Sequence, residues 1–287
     1  MIDSDRFSQP VFIVSSPRSG SSFLFETLVR SKNVWTIGEE SHEAIEGIAK
    51  LHPAQRNYDS NRLTERDADR ETAALLRERF WELLRDRNGQ PVLPDAKTVR
   101  MLEKTPKNSL RIPFLSKVFP EALFIYLYRE PQEVISSIME AWRSGQFVTY
   151  PELPNWDGMT WSLLLFPGWQ ELRGKPLAEI AAQQWAKANQ YILEDLAYLP
   201  AERWCCVTYQ DLIANLPGEV KRLCEFAGWE WDLDFSEPFP LSRHTLTPPA
   251  PDKWKKNAAE IEAVLPQVAE IVSKAKDAIA LRLLSRN

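Results

Sequence analysis

The stretch Val11-Phe-Ile-Val-Ser-Ser-Pro-Arg-Ser-Gly-Ser-Ser-Phe-Leu24 sets one arginine, one glycine and several hydroxyls at a turn between an apolar run and a helix start. Its chemistry is anion binding. The first N–H groups of a helix have no intrahelical partner, the macrodipole favours negative charge there, and Gly20 lets the backbone come close to a bound group. Ser21 and Ser22 fall at the first helical positions, where hydroxyls add to the backbone donors, and Arg18 supplies a fixed cation. No GxxxxGK[ST] sequence occurs, and the one Gly-Lys pair, Gly174-Lys175, runs straight into Pro176. Arg18, ahead of the glycine, takes the place of the missing lysine. The plainer alternative is an ordinary serine-rich turn between a strand and a helix.

These residues need a scaffold, and the chain spells one out. Residues 11–14 read as a buried strand. A helical pattern starts at Thr64, where Asp67 is placed for a capping box, carries Leu76, Phe80, Leu83 and Leu84, and ends at Asn88-Gly89. Leu102-Glu-Lys-Thr-Pro106 reads as a strand end and turn, and Ser109 to Val118 as a helix restarted at Pro113. Ala122 to Tyr128 is almost continuously apolar, as a strand buried on both faces should be, and it delivers Arg129 to its end. Pro131 suits the first turn of a helix through Trp142 that carries Ser136 and Ser137. A long helix spans Pro176 to Tyr198, its apolar period broken only by Gln184, and Trp204 to Thr208 is a short strand followed by a helix near Leu216 to Ala227. The alternation predicts an α/β fold of three layers, with a mostly parallel central sheet flanked by helices and ligands at the carboxyl ends of the strands. Between Arg143 and Gly174 an aperiodic segment holds Phe147, Tyr150, Trp156, Trp161, Phe166 and Trp169. It reads as an active-site lid, with an aromatic mini-core as the alternative.

Composition narrows the class. With 287 residues and 44% hydrophobic content the chain can build a substantial core. It has no apolar run of membrane-spanning length and no signal segment at its start, so a cytoplasmic protein without a membrane span is expected. Cys205, Cys206 and Cys224 lack metal-ligand spacing and the three histidines lie far apart, which predicts no metal. A net charge of −5 argues against a nucleic-acid partner, so an anionic ligand must be met by local clustering of cations.

Four stretches, SSPRSGSS, EKTPKNSLRIPFLSKVFPEALFIYLYRE, its continuation YREPQEVISS, and VTYQDL, together resemble a sulfotransferase that uses 3′-phosphoadenosine 5′-phosphosulfate (PAPS). The resemblance runs from Val11 to Pro266. It is weakest between Leu51 and Val99 and through the aromatic segment, and it is nearest in style to bacterial and tyrosylprotein sulfotransferases. It implies a P-loop-like fold as a single domain over 1–287 with the lid at about 143–174. Carried over by position, Arg18, Ser22 and the N–H groups from Ser19 through Gly20 and Ser21 to Ser22 would hold the 5′-phosphosulfate. Arg129 and Ser137 would hold the 3′-phosphate, a pairing that suits an arginine at a strand end and a hydroxyl in the next helix. A surface ion pair of Arg129 with Glu133 is the plainer role.

Lys104 matches the family lysine beside the oxygen that joins phosphate to sulfuryl group, where a cation stabilises developing charge; otherwise it is a surface lysine paired with Glu103. Gly38-Glu39-Glu40-Ser41-His42 lies where tyrosylprotein sulfotransferases have a Gly-Glu-Glu whose second glutamate is the proposed base, which makes Glu40 the first choice and His42 its rival. Tyr209 matches the family tyrosine near the nucleotide base, and Lys253, before Trp254, matches a lysine on a closing loop. The products would be a sulfated acceptor and 3′,5′-bisphosphoadenosine (PAP), with no metal. The Gly-Glu-Glu-Ser-His-Glu run and the flap-like Trp161 to Trp169 resemble the activating sulfotransferase domains of cyanobacterial polyketide and olefin synthases, which implies a β-hydroxyacyl chain on an acyl carrier protein as acceptor. A free alcohol, phenol or lipid is the alternative. A P-loop kinase lacks its loop lysine here, and a non-catalytic nucleotide-binding module would have little use for Arg18, Glu40, Lys104 and Arg129 together.

Overall fold

A computed structural model describes residues 6–38, 40–93, 96–235, 246, 250 and 252–284. Seven strands and nine helices are assigned among them, in the order β1 (Val11–Val14), α1 (Ser21–Leu28), β2 (Val34–Trp35), α2 (His42–Glu46), α3 (Arg70–Leu83), β3 (Arg100–Lys104), α4 (Ile112–Val118), β4 (Leu123–Tyr128), α5 (Pro131–Ser144), β5 (Val148–Tyr150), β6 (Trp161–Ser162), α6 (Leu177–Ala197), β7 (Trp204–Thr208), α7 (Tyr209–Ala214), α8 (Leu216–Ala227) and α9 (Ala258–Leu284). Five strands form one parallel sheet in the order β2-β3-β1-β4-β7, while β5 and β6 form a separate antiparallel pair.

Alternation along each strand builds a core on each face of the sheet. Phe12, Val14, Phe124, Tyr126 and Tyr128 pack with Leu115 of α4, Ile138 of α5, Trp185 of α6 and Val268 of α9. Val11, Ile13, Ile125, Leu127 and Val207 pack on the other side with Leu24 and Leu28 of α1 and Leu223 of α8. The predicted three-layer α/β architecture with its mostly parallel sheet is the one observed.

Several local expectations are corrected. The Thr64–Asp67 capping box forms, but it caps a short 3-10 turn over Glu65–Asp67; α3 itself starts at Arg70 under an Asp69 cap. That helix ends at Leu83, because Leu84 turns extended (φ −58°, ψ 134°) and buries itself, well before Asn88-Gly89. No helix is expected from the sequence beyond Ala227, yet α9 runs 27 residues through Pro266, held by Ile261, Val264, Val268, Ala275 and Ile279 on its buried face. Tertiary packing there outweighs the hydrogen bond lost at proline.

The segment 143–174 meets the rest of the protein in two ways. Trp161 is fully buried, with Trp156, Trp142 and Trp169 rings packed edge-on at centroid distances of 4.9, 5.3 and 5.3 Å. Gln184, the break in the period of α6, is buried at their side: it accepts from Trp142 Nε1 (3.0 Å) and donates to the carbonyls of Ser162 and Leu164 (2.9 and 2.8 Å). The tryptophans thus turn inward as a mini-core, while Phe147, Val148, Thr149, Leu163 and Leu164 face the cavities described below.

A buried polar cluster ties α2 to the connection between β3 and α4. Glu46 accepts from Lys107 Nζ (2.9 and 2.8 Å) and from Arg111 Nη2 (2.5 Å), and Asn61 and Tyr150 close the network. Burial raises the pKa of Glu46, but the charges of Arg111 and Lys107 outweigh it and bring the value down to about 2.

Two outcomes follow from this packing. Trp161→Ala is expected to cost about 3–5 kcal/mol of stability, seen as a lower denaturant midpoint; a loss under about 1 kcal/mol would show that the ring anchors nothing. For Glu46 the folded pKa lies below the unfolded one, so its stabilisation is complete above about pH 5 and is lost as pH falls toward 2, on the order of 3 kcal/mol in all. Urea unfolding between pH 6 and 3 should show a flatter pH dependence in Glu46→Gln than in the wild type, and an equally steep one would contradict the assignment.

Candidate active site

Parallel strands bring their carboxyl ends to one edge of the sheet, and the candidate residues sit there. Lys104 is the last residue of β3, Arg129 follows β4 directly, Tyr209 follows β7 directly, and the loop 15–20 follows β1. Gly20 is the N-cap of α1 at φ 95°, and no side chain caps that helix. A Cβ at Gly20 would lie 2.6 Å from two ring carbons of Tyr209, so glycine is required both by its φ and by the aromatic neighbour. Arg18 also adopts a left-handed conformation (φ 68°), a strained arrangement for a side-chain-bearing residue.

A cavity of about 280 Å³ opens over this edge, lined by Arg18, Gly20, Ser21 and Ser22 of the loop and α1, by Arg129, Ser136 and Ser137, and by Tyr209 and Lys253. Ser19 is buried behind it. Ser137 Oγ accepts from Arg18 Nε (3.3 Å), so α5 is joined to the loop through that arginine. The Arg129 guanidinium carbon stands 3.9 Å from the centre of the Tyr209 ring, and its Nε donates to Glu133 (2.7 Å). The ion pair expected as the plainer role of Arg129 does form, but it forms on the cavity wall. Lys253 Nζ lies 3.6 Å from Glu140, which also meets Lys256.

Positive charge is crowded here. Burial, then the nearby Arg129, lowers the pKa of Arg18, and burial followed by the charges of Arg18 and Arg129 lowers that of Lys253. An anion in the cavity would relieve this repulsion. Glu140, missed in the sequence, was legible as part of a stripe: Glu133, Ser136, Ser137 and Glu140 recur at three and four along α5 and all line the cavity.

A second cavity of about 250 Å³ adjoins the first, sharing Pro17, Glu40, Pro106, Phe147 and Leu163 with it and adding His42, Lys107, Val148, Thr149 and Leu164. Its walls are largely apolar. Phe147 lies under Arg18, whose guanidinium carbon is 4.7 Å from the ring centre, and so forms part of the partition between the two.

Glu40 stands on that partition. Its Oε1 accepts from Lys104 Nζ (2.5 Å), its Oε2 lies 2.6 Å from His42 Nε2, and the same Lys104 donates to Ser22 Oγ (3.1 Å). Burial raises the Glu40 pKa, but the His42 hydrogen bond and the Lys104 charge overcome it and bring the value down to about 2. Lys104 is therefore not the exposed partner of Glu103. Successive residues of a strand point to opposite faces, and Glu103 is enclosed, accepting from Thr105 Oγ1 (2.5 Å) and Asn108 Nδ2 (2.7 Å). Thr105 in turn accepts from the Ser41 backbone N–H (2.7 Å), fixing the segment that carries Glu40. His42 Nδ1 is buried with no hydrogen-bond partner among the described residues, so that nitrogen is closed to the cavity. Glu39 lies outside the described residues.

No metal-binding cluster of His, Cys, Asp or Glu and no helix long and apolar enough to cross a membrane occurs among the described residues. The arrangement offers an anion site of two arginines, a lysine and a helix N-terminus, beside an apolar chamber, with a carboxylate and a lysine between them.

Comparison with known proteins fits this geometry. The chain is similar to the solved sulfotransferase domain from the curacin biosynthetic pathway (21% identity over 79% of this chain and 76% of that one, TM-score 0.45). It is similar to the sulfotransferase domain of the Synechococcus PCC 7002 olefin synthase to the same degree (21%, 79% and 76%, TM-score 0.44). A sulfotransferase from Alicyclobacillus acidocaldarius shares the fold over 95% of this chain and 96% of its own, at 13% identity and a TM-score of 0.50. Among curated proteins none matches. The model of the sulfotransferase family matches residues 10–233, a span that holds the loop, both arginines, Glu40, Lys104 and Tyr209, and the chain belongs to that family.

Proposed function

We propose that the protein transfers a sulfuryl group from PAPS to an acceptor hydroxyl, and that the acceptor is a β-hydroxyacyl chain presented by an acyl carrier protein. The observation that carries the reading is the position of Glu40, which lines both the cationic cavity and the apolar one. Donor and acceptor would meet at that carboxylate. The residues present fit the donor: the loop N–H groups, Arg18 and Ser22 suit a phosphosulfate, Arg129 with Ser137 suits a second phosphate, Tyr209 offers a face to a base, and Lys253 adds charge from the C-terminal side. The bound donor supplies the transferable sulfuryl group.

The remaining chemistry falls to the chain. Lys104 stands within reach of the loop through Ser22, where it would stabilise charge on the departing phosphate oxygen. While Lys104 and His42 hold Glu40, the carboxylate is a weak base. Turning Lys104 toward the donor withdraws one of those contacts, raises the basicity of Glu40 and readies it to take the acceptor proton. His42 keeps the carboxylate aimed. The apolar walls formed by Pro106, Phe147, Val148, Leu163 and Leu164 exclude water and suit an acyl chain. Segment 143–174 would open and close there through Phe147 and Leu163.

Mass spectrometry of carrier-bound 3-hydroxyacyl chains after incubation with PAPS tests the reaction directly. A gain of one sulfuryl group is expected in the wild type. In Glu40→Gln turnover should fall by about 10²-fold or more with PAP binding retained, and the acid limb of kcat, which reports loss of the base as pH falls, should disappear. Near-normal turnover in Glu40→Gln with collapse in His42→Ala would move the proton transfer to the histidine.

A further inference from the structure

The wall of the smaller cavity carries an imbalance of charge. Lys107 and Arg111 are buried and share the single carboxylate of Glu46, itself only partly exposed. Arg111 Nη1 is buried with no hydrogen-bond partner among the described residues. The next carboxylate, Glu40, is already engaged by Lys104 and His42, and Glu103 is enclosed by Thr105 and Asn108. A buried cation without full compensation is costly, and Lys107 responds as such: burial lowers its pKa, against the opposing pull of Glu46. A purely structural tie between α2 and α4 would be cheaper with balanced charges or with apolar residues.

Among the described residues Lys107 is also the one lysine or arginine that lines this cavity, whose other walls are Pro17, Pro106, Phe147, Val148, Leu163 and Leu164 with His42, Thr149 and Glu40. Its ammonium spends two contacts on Glu46; the third, to Tyr150 Oη, is long at 3.3 Å and easily exchanged. Tyr150 Oη keeps its bond from Asn61 Nδ2 (2.5 Å) when that exchange occurs.

We propose that Lys107 is the specificity-determining residue for the acceptor and that it binds a carboxyl oxygen, of a free acid or of a thioester, close to the hydroxyl that is sulfated. The inference rests on the sulfotransferase reading above and on the smaller cavity as the acceptor chamber. With the base at Glu40 and the donor at Lys107 on the same wall, an acceptor is held at two points: its hydroxyl at the carboxylate and its carboxyl oxygen at the ammonium. Apolar contacts take the rest of the chain. A plain alcohol offers only the first point.

Three acceptors with the same alkyl tail separate the possibilities: a 3-hydroxy acid, its N-acetylcysteamine thioester, and the secondary alcohol lacking the carboxyl carbon, each assayed with PAPS. In the wild type kcat/KM for the carboxyl compounds should exceed that for the alcohol by about tenfold or more, the scale of one charge-assisted hydrogen bond. In Lys107→Met that ratio should collapse toward one, and Lys107→Arg should keep part of it. Preference for the acid over the thioester would assign a free acid as the source, and the reverse a carrier-bound acyl group. Equal use of all three by the wild type, or a uniform loss across them in Lys107→Met, overturns the inference, and the wild-type ratio decides the matter alone if the variant folds poorly. Transfer to none of the three, with PAP still bound, overturns the acceptor class itself.

Discussion

Everything at the site depends on one constraint: four neighbouring strands, β3, β1, β4 and β7, run parallel and in register, so their carboxyl ends open on the same edge. Strand buried on both faces leaves few places for charge, and the charge is concentrated where the strands stop. Lys104, Arg129 and Tyr209 come from three different strand ends, and the N-terminus of α1 comes from the fourth. The cost is electrostatic. Cations brought together in a half-buried cavity repel each other, and in the free protein Glu40, Glu133 and Glu140 offset that repulsion one by one. On the proposed reading an anionic ligand would exchange with these carboxylates, which would tie affinity to how readily α5 releases Arg129 and Lys253.

The same exchange gives the site an order of events. Lys104 holds Glu40 and Ser22 at once, and is thus a single link between the acceptor side and the phosphate loop. If Glu40 is the base, as proposed, its pKa of about 2 leaves it inactive in practice, and proton transfer would wait until Lys104 has another anion to face. Glu103, Thr105, Asn108 and Ser41 keep the Glu40 segment in place from behind while Lys104 moves. Freeing the carboxylate from Lys104 only when the donor is present would keep it from picking up a proton or a stray cation between turnovers.

Much of this was legible in the chain. Continuous apolar runs at 11–14, 122–128 and 204–208 gave buried parallel strands, because strands covered on both faces have no polar side to show. Glu40, Lys104, Arg18, Arg129, Ser137, Tyr209 and Lys253, far apart in sequence, are brought to one locale. What escaped is what depends on tertiary contact. Three tryptophans in an aperiodic segment look like a lid from the sequence, but whether an indole faces a cavity or a core is settled by its neighbours, here Gln184 and Trp142. Lys107 looks like any lysine of a polar turn until Glu46 and Arg111 are seen to enclose it. The α3 boundary failed because two capping signals, Thr64 and Asp69, lie five residues apart and the first serves only a short turn. Glu140 was readable from its helical spacing to Glu133, Ser136 and Ser137, yet a carboxylate in an anion site runs against charge logic until its cationic partners are placed.

The central claim is that the cations gathered at the strand ends form a site for a nucleotide with phosphates at both ends of its ribose. Calorimetric titration with PAP and with AMP, in the wild type and in Arg129→Ala, tests it most directly. The account predicts that PAP binds at least about tenfold more tightly than AMP, without divalent metal, and that Arg129→Ala removes most of that preference while leaving AMP binding within a few-fold. Equal affinity for the two ligands in the wild type, or a preference untouched by the substitution, would contradict it.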